Sequence, residues 1–323
     1  MGRGNHSLVT EFLLLGFAKL PELQFLLFML FLIIYLVILM GNFLIILVTT
    51  VDHILQTPMY FFLKNLSFLE ICFNTVTVPK ILVILSTENQ SISFAGCFAQ
   101  MFFFLVFGAG ECFLLGAMSY DRYLAICNPL RYPILMNRRV FIYLAGGSWC
   151  LGLMVAIIQT IWVFNFPFCG PNGIDHFFCD TPPVLELVCA DTYLFELYAL
   201  TGTILVIMVP FLLILLSYVH IISTILKMSS AEGRKKAFST CSSHLTVVTL
   251  FYGAAILTYL RPKTGYSAES KKLLTLSYIL LTPLLNPLIY SLRNSEVKEA
   301  LRRTLCQKTC LRDYMLNLLL RQF

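Results

Sequence analysis

Residues 25–39 read FLLFMLFLIIYLVIL, a run with no charged side chain and a single hydroxyl, that of Tyr35. The run continues without Asp, Glu, Lys or Arg from residue 23 to residue 51. A helix that crosses the hydrocarbon core of a bilayer needs ~20 predominantly apolar residues, so this segment is long enough to span. Backbone groups in lipid must pair within the segment or within a closed barrel. Barrel strands alternate apolar and polar residues over ~10 positions. This run does not alternate, and it reads as a helix.

The same pattern recurs along the chain. Residues 92–110, 140–174, 197–226, 237–260 and 273–292 each hold at least 19 residues free of charge. Residues 58–83 form a further apolar stretch, interrupted by Lys64, Glu70 and Lys80. Of 323 residues, 58% are hydrophobic and 12% charged, about half the charged share of a soluble domain. The expected fold is therefore an all-α membrane protein, a seven-transmembrane helix bundle over residues 23–293. Residues 1–22 are expected as an extracellular N-terminus, and residues 294–323 as a cytoplasmic interfacial helix and tail.

Seven crossings put the two ends on opposite sides, and the basic residues choose which. With the N-terminus outside, inner segments carry fifteen of the 23 Lys and Arg and outer segments seven, while residues 162–197 carry none. The positive-inside rule then sets the N-terminus outside. The inner clusters also suit anionic lipid, and no nucleic-acid partner is expected. The first 22 residues lack a signal-peptide pattern, so the first span is expected to serve as an uncleaved signal. Sequons at Asn5 and Asn89 fall on the outer side, where glycosylation is expected. Cys97, Cys169, Cys179 and Cys189 also fall there, in a compartment that permits disulfides. Four cysteines allow three pairings, and the residues alone do not choose among them.

Enzymatic chemistry is not expected, because no nucleophile–base–orienter set and no zinc-like Cys/His spacing converges on one face. A transporter would show repeated halves with broken helices in matching positions, and no internal match is seen. Glu70 and Glu111 stand out instead. Each is a carboxyl group in an apolar span, where ionisable groups are costly and face the bundle interior. Counting 1.5 Å per residue from the inner ends places both near mid-membrane. Two facing acids either share a cation or leave one of the pair protonated.

Four longer motifs carry a family resemblance: PMYFFL (58–63), MSYDRYLAIC (118–127), KAFSTCSSHL (236–245) and PLLNPLIY (283–290). Together, in order and on the right spans, they resemble vertebrate odorant receptors of the land-vertebrate class, a branch of the rhodopsin-like G-protein-coupled receptors. Gln56 and Ser119 depart from the pattern, where the family usually has His and Ala. The resemblance covers residues 12–305 and implies a receptor at the plasma membrane. It would bind small, neutral, largely apolar odorants and activate a stimulatory, olfactory-type heterotrimeric G protein, raising cyclic AMP. The disulfides expected with it are Cys97–Cys179 and Cys169–Cys189.

The resemblance also implies site residues. Asp121, Arg122 and Tyr123 form the switch at the inner end of the third helix, with Arg122 held by Asp121 at rest. Tyr218 and Tyr290 rotate towards Arg122 on activation, and Asn286 and Pro287 supply a movable kink, since proline removes a helix hydrogen bond. Asn42, Glu70, Glu111 and Asn286 match a sodium site, so sodium is expected as an allosteric ligand and no other cofactor.

For the ligand, the third helix offers FFFLVFGAG (102–110), with no ion partner for an amine. Phe104, Gly108 and Cys112 share one helix face, flanked by Leu105 and Ala109. The resemblance adds Gly202, Thr203, Val206, Tyr252, Ala255, Ile256, Tyr259 and Ile279. Tyr252 is the candidate toggle, because its hydroxyl can pair while its ring packs. The rival reading of Gly108 is helix packing, the usual role of small residues in spans. Few polar groups in an apolar cleft orient a ligand but separate related odorants weakly, by ~1–3 kcal/mol per methylene. Residues 294–305 read as a short amphipathic interfacial helix. Cys306 and Cys310 beyond it are candidate palmitoylation sites.

Overall fold

The computed structural model describes residues 9–17, 21–87, 89–169, 171–260, 268–293 and 297–303, with side chains throughout except at 21, 236, 239, 240, 268–271, 278 and 290–293. Strand β1 (Glu11–Leu14) leads to helix α1 (Gln24–Val51) and α2 (Pro58–Thr87). Strand β2 (Ser91–Ser93) then leads into α3 (Phe94–Cys127), a short α4 (Tyr132–Leu135) and α5 (Arg138–Phe164). After strand β3 (Gly173–Ile174) come a short α6 (Thr181–Leu185), α7 (Tyr193–Leu226), α8 (Ala231–Tyr259) and α9 (Ala268–Arg293). Residues 297–303 form one further helical stretch, α10. Among the described residues, α1, α2, α3, α5, α7, α8 and α9 are long and apolar enough to cross a membrane.

Local chemistry starts these helices. The Ser93 hydroxyl accepts from the Gly96 amide at 3.0 Å, opening α3, and the Asn137 carbonyl accepts from the Arg139 and Val140 amides, opening α5. Such N-caps satisfy donors that the first turn leaves over. The span boundaries differ from charge counting in two places. The run 140–174 overshoots, because α5 ends at Phe164 and the chain turns through Asn165 to Pro167 without needing a charge. The run 92–110 stops short, because Glu111, Asp121 and Arg122 are buried inside α3, which continues to Cys127.

Burial identifies the axis of the bundle. In its most apolar window α3 is 61% buried, against 17% for α7 and 22% for α5. Helix α3 packs on α2, α5, α7 and α8, while α1 packs on α2 and α9. Large side chains such as Phe25, Met40 and Leu216 point outward as an apolar belt. Lipid tails are as apolar as leucine, so close packing and buried polar contacts must hold the helices together.

One such contact repairs α9. Pro287 has no amide to give the carbonyl of Pro283, four residues earlier. The Asn42 amide of α1 reaches that carbonyl at 3.5 Å and its own Ile38 carbonyl at 3.1 Å. A Cβ on neighbouring Gly41 would stand 2.9 Å from Pro287 Cβ, so the glycine lets α1 approach the kink.

At the disulfide-bearing end lies a small sheet of order β2-β1-β3, with β1 antiparallel to β2 and parallel to β3. Phe12 and Leu14 alternate inward from β1 and are fully buried. The Phe12 ring packs against Phe94 and Phe168, and Phe17 lies 4.4 Å from Phe177. Residues 9–17, read from the sequence only as part of an extracellular N-terminus, are thus strapped across this end of the bundle. At the opposite end, α10 docks on Val297 and Ala300, both buried. Arg303 grips Asp52 at 2.9 Å, and the Ile54 amide and this guanidinium hold that carboxyl below the usual carboxylate range. The apolar face expected for residues 294–305 is visible at these positions.

Candidate functional site: a polar track along the central helix

The disulfide end is a lid. Cys97 at the start of α3 is bonded to Cys179, and Cys169 to Cys189. Gln100, one turn along α3, accepts from the Cys179 amide at 2.9 Å and donates to the Val76 carbonyl at 3.0 Å. Phe178 drops inward to within 4.9 Å of the Phe104 ring, which also meets Phe73 at 4.9 Å. Asp180 accepts from the Tyr259 hydroxyl at 3.3 Å and from the Thr181 amide at 2.8 Å. Lys272 of α9 pairs with Asp175. The lid is therefore tied to α3, α8 and α9 together.

Two titratable groups in this lid oppose each other. Burial raises Asp180 to about 6, against the two donors that would lower it. Burial lowers His176 to about 4, against the Phe178 carbonyl and with the Lys272 and Asp175 charges acting in opposite senses. The fold favours the neutral Asp180 acid, so its contribution is full below the ordinary 3.8 and is lost as pH rises through about 6. The fold favours neutral His176, whose contribution is full above 6.5 and is lost as pH falls through about 4. These two slopes cancel between the two folded values, so the pair together adds little to the pH dependence of the melting midpoint there. Asp180→Asn leaves the histidine unopposed and should expose an acid lability of roughly 3 kcal/mol at 1.36 kcal/mol per unit. A midpoint that follows pH in the variant just as it does in the unmodified chain would contradict this.

Below the lid lie the residues expected to meet a ligand. Phe104, Ala109, Cys112, Tyr252, Ala255 and Ile279 are buried, and Leu105, Gly108, Gly202, Thr203, Val206, Ile256 and Tyr259 are half-buried. The Tyr252 hydroxyl donates to the Cys112 carbonyl at 2.7 Å, clasping α8 to α3, and its ring packs on Phe211 of α7. Leu105, Val206, Ile256 and Tyr259 pack against the same core. Gly202 stands apart, since a Cβ built there meets nothing within 4 Å.

One residue before Cys112 on α3, Glu111 faces Glu70 of α2, and the two carboxyl groups are within hydrogen-bonding reach. Asn286 of α9 donates to Glu70. Asn42 Oδ1, Glu70 Oε2, Glu111 Oε1 and Asn286 Oδ1 are buried and find no donor among the described residues. Asn74 Oδ1, which sequence reading passed over, is another. Two facing carboxyl groups are acceptors unless a proton or a cation lies between them. Of the four residues expected to hold sodium, Glu70, Glu111 and Asn286 are thus brought together, whereas Asn42 reaches the Pro283 carbonyl of α9.

At the far end of α3, Asp121 and Arg122 are buried. The Tyr132 hydroxyl of α4 donates to Asp121 at 2.8 Å; burial and the neighbouring carboxylate keep that phenol protonated. Arg122 lies close enough to act electrostatically on Asp121, Cys241 and His244. Tyr218 is paired with His244 Nδ1 at 2.8 Å, joining α7 to α8. Tyr123 packs against His220. Tyr132 and His244 are partners that sequence reading gave no role, although His244 lay within a quoted motif. The Tyr290 side chain, Asn5, Cys306 and Cys310 lie outside the described residues, while Asn89 is exposed between α2 and β2.

Seven spans, with polar groups stepping along the central α3 from a disulfide-tied lid to a buried arginine, define a multi-pass membrane receptor of the G-protein-coupled type. The sequence matches the family described as "Olfactory receptor" over residues 31–308. It is 63% identical to olfactory receptor 10A3 of Homo sapiens, over 97% of this chain and 100% of that one. It is 62% identical to olfactory receptor 10A7 of Homo sapiens, over 94% of this chain and 96% of that one. Against olfactory receptor 10C1 of Homo sapiens the identity is 56%, over 94% and 97%. The chain belongs to the olfactory receptor family, whose members are receptors and not enzymes.

Proposed function

We propose that this chain binds small, neutral, largely apolar odorants between α3, α7, α8 and α9 and activates a stimulatory, olfactory-type heterotrimeric G protein, raising cyclic AMP. The observation that carries the reading is the Tyr252–Cys112 clasp. It joins α8 to the central helix between the apolar cluster around Phe104 and the Asp121–Arg122 pair. A ligand acts only through its preference for one of two states, and a hydroxyl that can exchange this partner for a ligand supplies such a preference. The basic-residue asymmetry supports a plasma-membrane topology with the lid outside and Arg122 at the cytosolic face.

In cells displaying the chain with a stimulatory G protein, a panel of neutral odorants should give dose-dependent cyclic AMP. Tyr252→Phe should shift the dose curve without loss of surface display. Silence across the panel, with display verified, would count against the reading.

The oxygen-rich cluster supports a second element. Asn42, Glu70, Glu111 and Asn286 offer the hard oxygen donors that suit an alkali cation, and a bound sodium ion would supply the positive charge the paired acids need. Glu111→Gln removes one negative charge and should abolish any sodium dependence of basal signalling. An unchanged sodium dependence in that variant would contradict the assignment.

A further inference from the structure

A hollow of about 530 Å³ lies on the lipid-facing side of the bundle, between α3, α5 and α7. None of the residues expected to meet an odorant lines it. Its floor is made of small residues, Gly116, Ala117, Gly147 and Ser148, and its rim of rings and branched chains. Tyr143 is 74% exposed and Leu213 56%, so the mouth opens to the surroundings of the spans, which are hydrocarbon. Whatever enters comes from the bilayer.

The hollow has a polarity. Tyr123, Tyr143, Ser217 and His220 sit at one end. Tyr123, Tyr143 and His220 lie four to six residues from the ends of α3, α5 and α7, ~6–9 Å into the membrane at 1.5 Å per residue, the level of the interface, and Ser217 lies about one turn deeper. The Tyr123 and His220 rings are in contact. Phe113, Leu151 and Val209 close the other end. From Phe113 to Tyr123 is ten residues, ~15 Å of helix. The site therefore asks for a flat, rigid, apolar body of that length carrying one small polar group at the interfacial end.

We propose that this hollow binds a membrane sterol, with its hydroxyl among Tyr123, Ser217 and His220 and its ring system on the Gly116–Gly147 floor. A flexible acyl chain would give up conformational freedom in this site that a rigid ring system does not. The glycines provide the test. A Cβ at Gly147 meets nothing within 4 Å, and neither does one at exposed Gly146, a residue that does not line the hollow. Gly147→Leu fills the site without striking protein, and Gly146→Leu is its matched control.

The full chain would be purified into phosphatidylcholine nanodiscs and labelled with a photoreactive cholesterol probe, with the adducts mapped. Label is expected on α3, α5 or α7 around the hollow, competed by cholesterol and not by phosphatidylcholine or oleate. It should fall roughly tenfold in Gly147→Leu, equivalent to about 1.4 kcal/mol of binding, and persist in Gly146→Leu. Cholesterol should also raise the melting midpoint of the unmodified chain and of Gly146→Leu, but not of Gly147→Leu. Equal labelling of both variants, adducts elsewhere, or competition by oleate would overturn the proposal. The mapping and competition arms use the unmodified chain and decide the matter even if Gly147→Leu fails to fold.

Discussion

Arg122→Ala is expected to bring odorant-evoked cyclic AMP down to the level of cells lacking the chain, with surface display unchanged. The guanidinium is buried at the end of the central helix and acts on Asp121, Cys241 and His244. A switch needs a group with alternative partners in its two states, and Arg122 is the buried cation placed between α3 and α8. Its neighbour Asp121 is also held by the Tyr132 hydroxyl at 2.8 Å. Hydrogen bonds to charged groups contribute ~1.5–3 kcal/mol. Tyr132→Phe should therefore move signalling the other way, raising the ligand-independent level several-fold. Arg122→Ala that still signals fully, or Tyr132→Phe with an unchanged basal level, would remove this end of α3 from the mechanism.

Gly152→Leu is expected to abolish surface display and ligand response together. A Cβ at this position would lie 2.5 Å from the Val106 carbonyl oxygen and 2.8 Å from the Gly110 nitrogen. Those are backbone atoms of α3 and have no rotamer to yield. The two helices would have to separate along their whole crossing, at a cost of roughly 3 kcal/mol or more. Gly146→Leu, on the same helix with open space around it, should display normally. The pair separates loss of packing from the gain in helix propensity that both substitutions share. Normal display of Gly152→Leu would show that α3 and α5 do not depend on this approach.

The seven spans were legible because membrane helices announce themselves by long apolar runs, and lipid supplies no other way to satisfy the backbone. Their ends were not, for two opposite reasons. Residues 165–169 and 171–174 lack charge yet lie outside the helix, whereas Glu111, Asp121 and Arg122 carry charge yet stay inside theirs. Charge marks the membrane boundary only where it faces lipid or water, and α3 is surrounded by protein. The strand at Glu11–Leu14 was missed because four residues give too short an alternation to read, and its partners lie far along the chain.

The site was legible to different degrees. Glu70 and Glu111 could be read from depth alone, since a carboxyl group in an apolar run has to face the interior. Tyr132 and Asp180 could not. Their partners Asp121 and Tyr259 lie eleven and 79 residues away, across loops whose path no periodicity fixes. Both pairs tie a loop to a helix, which is where pattern reading has least to work with. The hollow between α3, α5 and α7 was equally hidden, because Gly116 and Gly147 carry no sequence signal of their own and line it only once the three helices are packed.

The most direct test of the account is nucleotide exchange on a purified stimulatory G protein by the purified chain in lipid nanodiscs. It would be measured with and without the most active odorant from the cellular panel, with odorant binding followed on the same sample. The account predicts faster exchange with odorant, and no acceleration in Arg122→Ala although that variant still binds. Odorant binding to the unmodified chain with no change in exchange would contradict it.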